Sequence, residues 1–212
     1  MAVLQVPVRV SAVLLALSGV IVAMLLFLHP SILVRPVADV VRETDVWQPL
    51  HIAFALMFVL AAIGAAGLVA VHGNSMGRLG QVGLILTLVG SIGGLGIGIV
   101  EALAFPVLAE RLPDVLALQG PLLTSWVFIC LGLLWLAWAV GLTLIGIAAA
   151  RAAVFPRAAG VLLAVGAVAF HALGAPFVPV AGIVSGLLFG AAQVWWGWLL
   201  WKSDARAKVP PR

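Results

Sequence analysis

Apolar residues run through this chain in six long blocks, at 10–28, 47–71, 79–108, 122–150, 158–175 and 180–201, each bounded by charges, prolines or glycines. A hydrocarbon core about 30 Å thick takes roughly 20 apolar residues per helical crossing, so the pattern predicts six membrane-spanning helices. The last boundary rests on Pro176 and Pro179, because 158–201 carries no charged residue. A single helix there would be about 66 Å long, roughly twice the hydrocarbon thickness, so the chain must turn back.

Two connections are more than turns. In SILVRPVADVVRETDV, residues Leu33, Val37, Val40 and Val41 recur at helical spacing opposite Arg35, Asp39, Arg42 and Glu43, which predicts an amphipathic helix lying in the membrane interface. ERLPDVLALQG, before the fourth block, is a shorter candidate of the same kind.

Composition agrees with this pattern. Of 212 residues, 65% are hydrophobic and 8% charged, more apolar surface than a water-soluble domain of this size can hide. The fold class is therefore all-α, a polytopic helical bundle forming one transmembrane domain over 1–212, with the lipid bilayer as its first partner. The first block is longer than the core of a secretory signal, and HPSILVRPV after it holds no cleavage pattern, so it reads as a retained span. Cys130 is the only cysteine, which excludes an intrachain disulfide and a tetrathiolate metal site.

The basic residues set an orientation. Six spans place both termini on one side together with Arg9, Arg78, Arg151, Arg157, Lys202, Arg206, Lys208 and Arg212, and leave Arg35, Arg42 and Arg111 on the other. The positive-inside bias then puts both termini in the cytoplasm and the 29–47 and 109–121 connections outside. Scattered between apolar blocks, these residues form no patch for nucleic acid. Trp195, Trp196, Trp198 and Trp201 fall near the inner headgroups and read as an anchoring belt.

An offset of 79 residues aligns Trp47 with Trp126, Gly67 with Gly146, His72 with Arg151 and Arg78 with Arg157. It suggests a parallel duplication in which spans two and three match spans four and five. In the third span Gly90, Gly94, Gly98 and Ala102 recur every four residues, a stripe that lets another backbone approach closely. The partner is expected within the same chain, with a homo-oligomer or another membrane subunit as the alternative.

RAAVFPRAAGVLLAVGAV, followed by PFVPVAG and the Trp-rich last block, resembles an uncharacterised family of small bacterial six-span membrane proteins. The resemblance runs from the second to the sixth span. It implies a shared fold and a bacterial cytoplasmic (inner) membrane, and carries no activity or site residues.

Ionisable groups inside spans are costly, and the candidates here are His51, Glu101 and His171, with His29 at a span end. Counted along their helices, all three belong to the outer half of the bilayer, where they are expected to share one pocket lidded by the 30–47 segment and to bind a ligand or a proton. Two imidazoles and a carboxylate are also ligand types for a transition metal, and two histidines on different helices for haem. No HExxH, CxxC or nucleophile–base arrangement is present, so no catalytic residue is assigned. Cys130 reads as a small core residue. Three functions remain open: a non-enzymatic membrane protein that binds a lipophilic or small ligand at its outer face or serves as a helical subunit of an assembly; a small proton-coupled transporter; and a haem- or metal-binding redox protein.

Overall fold

The structure, a computed structural model, describes residues 7–207, of 204–207 the backbone alone. It contains α1 (Val8–Leu28), α2 (Val37–Glu43), α3 (Trp47–Arg111), α4 (Trp126–Ala152), α5 (Arg157–Ala169) and α6 (Ala181–Ala207). A 3-10 turn at Pro113–Leu116 precedes α4, a π-helical turn at Phe170–Gly174 extends α5, and the described residues contain no strand. Five helices are long and apolar enough to cross a membrane, as in a multi-pass membrane protein. Their outer faces carry large apolar side chains such as Phe27, Ile85, Ile92, Leu103 and Leu133, each at least 60% exposed, a surface suited to lipid and not to water.

The longest helix, α3, does not run straight. At about 1.5 Å per residue its 65 residues would reach nearly 100 Å, three times the hydrocarbon thickness. Gly77 interrupts it with φ 60° and ψ −158°, a conformation that costs glycine little. The two halves, 47–76 and 78–111, fold back on one another: Trp47 stacks near Phe105, His51 meets Glu101, and a Cβ built on Gly98 or Gly94 meets Ala55 or the Phe58 ring. The connection expected over 71–79 is thus a reversal at one glycine.

Small residues decide how the helices meet. Gly64 and Gly67 admit Leu15 and Ser11 of α1; Gly83, Gly90 and Gly93 lie against the α4 backbone; Gly146 and Gly160 bring α4 to α5. Gly166 meets Phe189, and Gly19, Gly190 and Gly197 seat α6 on α1, closing the bundle. The stripe anticipated in the third span therefore has two partners, α4 at Gly90 and the first half of α3 at Gly94 and Gly98, both within the chain. Phe58, Trp138, Phe170 and Phe189 fill the middle, each wholly buried. Buried hydroxyls behave as expected in a membrane: Thr87, Ser91 and Ser185 donate to carbonyls a turn away, and Ser18 pairs with Gln193 across the α1–α6 contact.

Antiparallel packing of α1 on α6 brings the two ends of the described chain to one end of the bundle. Arg9 lies over Trp201 and Lys202 over Trp198 there, at 5.0 and 3.8 Å from the ring centres. The side chain of Arg206 and all of Lys208 and Arg212 lie outside what is described. Trp196 departs from the anchoring belt: it is fully buried, and its Nε1–H donates to the Ala159 carbonyl at 2.8 Å. Cys130 departs from the core, being exposed on the lipid-facing side of α4. The fourth span begins at Trp126 and not at 122, because the Ser125 hydroxyl caps the helix by accepting from the Phe128 N–H.

Candidate functional site

The opposite end of the bundle is covered by α2 and the Pro113–Leu116 turn. Pro36 starts α2, a position where proline's fixed φ and missing N–H cost nothing, and Val37, Val40 and Val41 point inward against Trp47, Phe105 and Leu116. Leu33, expected on the same face, precedes the helix and is half exposed. The polar face pairs with itself: Arg35 Nη2 donates to Glu43 at 2.6 Å, and Arg42 to Asp39. The bond to Glu43 raises the Arg35 pKa above its ordinary value. Arg42 also donates to the Ala109 carbonyl of α3, which fastens the cover to the bundle.

Under this cover three side chains form a chain. His29 Nε2 lies 3.3 Å from His51 Nε2, which lies 3.4 Å from Glu101 Oε2. Each imidazole is held by its other nitrogen: His29 Nδ1–H donates to the Pro30 carbonyl at 2.6 Å and His51 Nδ1–H to the Trp47 carbonyl at 2.8 Å. A carbonyl only accepts, so both Nδ1 atoms carry hydrogen and both Nε2 atoms are bare in the neutral rings. Two imidazole lone pairs and a carboxyl oxygen thus face one another, an arrangement that calls for a shared proton. Burial, and then the adjacent His51, hold the His29 imidazole well below its ordinary range, at about 3, so the ring is a neutral acceptor near pH 7.

Aromatic rings brace the chain. Trp47 stacks on His51 with centres 4.1 Å apart, and its Nε1–H donates to the Glu101 carbonyl at 2.8 Å. Phe177 stacks on His29 at 3.6 Å and 11°. The turn carrying Phe177 is strained, for Phe177 and Val180 hold positive φ values of 54° and 62°, which bulky residues seldom adopt. Such strain costs of order 1–3 kcal/mol per residue and persists only where surrounding packing imposes it.

A cavity of about 280 Å³ adjoins the chain. Glu101 and His29 are its ionisable lining; Trp47, Phe105, Phe128, Trp135 and Phe177 supply aromatic walls, and Val37 of α2 borders it. His51 is 3% exposed at its side chain and Glu101 16%, so the carboxylate meets the cavity while the imidazole stands behind it.

Of the residues singled out from sequence, His51 and Glu101 come together and His171 does not join them. His171 sits in the π-helical turn, edge-on to Trp135 at 5.4 Å between ring centres, with a buried Nδ1 that has no hydrogen-bond partner. Its expected place beside His51 is taken by His29, whose position just past α1 gave only a depth and no contact. No His51–His171 clamp for haem forms, and among the described residues no three His, Cys, Asp or Glu side chains are arranged to hold a metal ion. No family model, curated protein or solved structure matches the chain.

Proposed function

We propose that this is a non-enzymatic membrane protein that binds a small, largely apolar ligand in the cavity at its outer end. The observation that carries the reading is the His29–His51–Glu101 chain opening onto an aromatic cavity. Ionisable groups at membrane depth cost several kcal/mol unless they are paired, and they mark functional sites by default. A cavity of a few hundred Å³ with apolar walls and few polar groups is the usual form of a small-molecule site.

The reading includes six crossings, counting the halves of α3 separately, with both termini in the cytoplasm of a bacterial cell. Support for the orientation is the excess of basic residues at the end that bears Arg9, Arg78, Arg151, Arg157 and Lys202. Support for the duplication is the 79-residue offset together with two helix pairs that each begin at a tryptophan, Trp47 and Trp126. A proton-coupled carrier would use the same chain, but it needs ionisable groups continuing toward the other end; the half-buried His72 there lies about 30 Å along the helix from His51, and the buried polar side chains at that end are Ser11, Ser18, Thr87 and Gln193.

Two measurements test the proposal. Trp47 and Trp135 line the cavity, so titrating small aromatic compounds into purified protein should change tryptophan fluorescence saturably. No saturable response across neutral, cationic and anionic compounds would end the pocket reading. A cysteine engineered at residue 43 should react with an impermeant reagent from outside the cell, and reaction only from the cytoplasm would invert the orientation.

A further inference from the structure

We infer that the occupant of this cavity is a small organic ammonium ion with N–H donors, and that it enters by replacing the proton shared along His29, His51 and Glu101. The inference rests on the pocket reading above and names the class of ligand.

Glu101 and His29, the two ends of the chain, line the cavity, and both carry acceptors: a carboxyl oxygen, and a bare Nε2 that lies 3.3 Å from His51 Nε2. A ligand there must donate. An anion would face the carboxylate without a counter-charge, and a metal ion lacks its third ligand. A bare alkali ion would need several oxygens that the aromatic walls do not have. An ammonium group on an apolar body meets all of these conditions, since its N–H groups donate to Glu101 and His29 while the aromatic side chains that line the cavity, Trp47, Phe105, Phe128, Trp135 and Phe177, pack against its apolar body.

Charge balance then dictates an exchange. Without ligand, one proton on the His51–Glu101 pair satisfies the facing lone pairs and leaves the chain neutral overall. Adding a cation to that neutral state would bury a net positive charge in an apolar site at high cost. Releasing the proton to water as the ammonium binds keeps the buried charge constant: Glu101 becomes the carboxylate partner of the ligand, and both imidazoles stay neutral. Among the described residues, His51 is the titratable group paired with the carboxylate. On α2, Asp39, Arg42 and Glu43 are tied up with one another and with Arg35, Asp114 in the 3-10 turn is exposed, and α4 brings only apolar and aromatic side chains to the cavity.

The test uses the full chain in detergent with benzylamine, its neutral isostere benzyl alcohol and the anion benzoate. Benzylamine should bind at least about tenfold more tightly than benzyl alcohol near neutral pH, a difference of roughly 1.4 kcal/mol, and benzoate should not compete. Each amine bound should release about one proton in weakly buffered solution, and its affinity should fall about tenfold per pH unit of acidification where the chain is protonated. Glu101→Gln, checked for an unchanged melting profile, should lose amine binding together with proton release. Equal binding of alcohol and amine, or amine binding with no proton released, overturns the exchange and leaves the pocket reading standing. Failure of all three compounds to bind removes both. The proton count on the unsubstituted protein decides the matter even if Glu101→Gln does not fold.

Discussion

Replacing Gly90 by alanine puts one carbon where the α4 backbone already lies. A Cβ built there would press on Trp138 N and sit 2.5 Å from Trp138 Cα and 2.6 Å from Leu134 O, against an ordinary contact of 3.4 Å or more, so α4 would have to retreat by more than about 1 Å. Trp138 cannot yield alone, because its ring is fully buried and packed edge-on against Phe58 and Phe189. Overpacking of this kind costs about 1–3 kcal/mol, and contact with backbone, which cannot rotate away, belongs at the upper end. Alanine returns up to about 1 kcal/mol through its higher helix propensity. The net expectation is a loss of about 1–2 kcal/mol, which at roughly 2–4 °C per kcal/mol lowers the melting temperature by about 2–8 °C. Gly132→Ala on α4 is the matched control, since nothing lies within 4 Å of its Cβ position and only the propensity gain remains. Thermal unfolding of both variants in one detergent, followed by helical circular dichroism, makes the comparison. A Gly90→Ala protein that melts at or above the unsubstituted one, or a Gly132→Ala protein that falls by the same amount, would refute the assignment of Gly90 to a backbone contact.

Because the His29 pKa is held near 3 against an ordinary 6.5, the unfolded chain binds the extra proton between those values, and stability is complete above about pH 6.5 and declines as pH falls toward 3. His29→Phe should flatten that decline, and melting temperatures from pH 6.5 down to about 4 that run parallel for the two proteins would contradict it. Trp196→Phe removes the bond to the Ala159 carbonyl and should cost about 0.5–1.5 kcal/mol, read as a lower melting temperature; an unchanged value would mean the bond contributes nothing net. His51→Ala should weaken amine binding and alter its pH dependence while His171→Ala leaves both within about twofold, the threshold being small beside a tenfold, roughly 1.4 kcal/mol, effect; equal losses in the two variants would place His171 in the site after all.

The membrane class, the helical blocks and the presence of rare ionisable residues near one end of the spans are properties of composition and periodicity, and they follow from the residues alone. A run such as Val10–Leu28 can do little else in lipid, because every backbone polar group must be satisfied within its own helix. The cover was legible in part: the 3.6-residue spacing of Val37, Val40 and Val41 marks a buried face, while Pro36, which sets the helix start, leaves Leu33 outside it. Tertiary structure decided what each face meets. Depth along a helix says nothing about rotation around it, and apolar blocks carry no strong periodic signal of their inner side. Hence Trp196 lies in the core, Cys130 faces outward, and His171 turns to Trp135 while His29 completes the chain with His51 and Glu101. That last pairing needs the reversal at Gly77 to bring Glu101 back beside His51, and the strained turn at 177–180 to press Phe177 onto His29. Neither is encoded in local pattern, because both depend on which helices the small residues allow to touch.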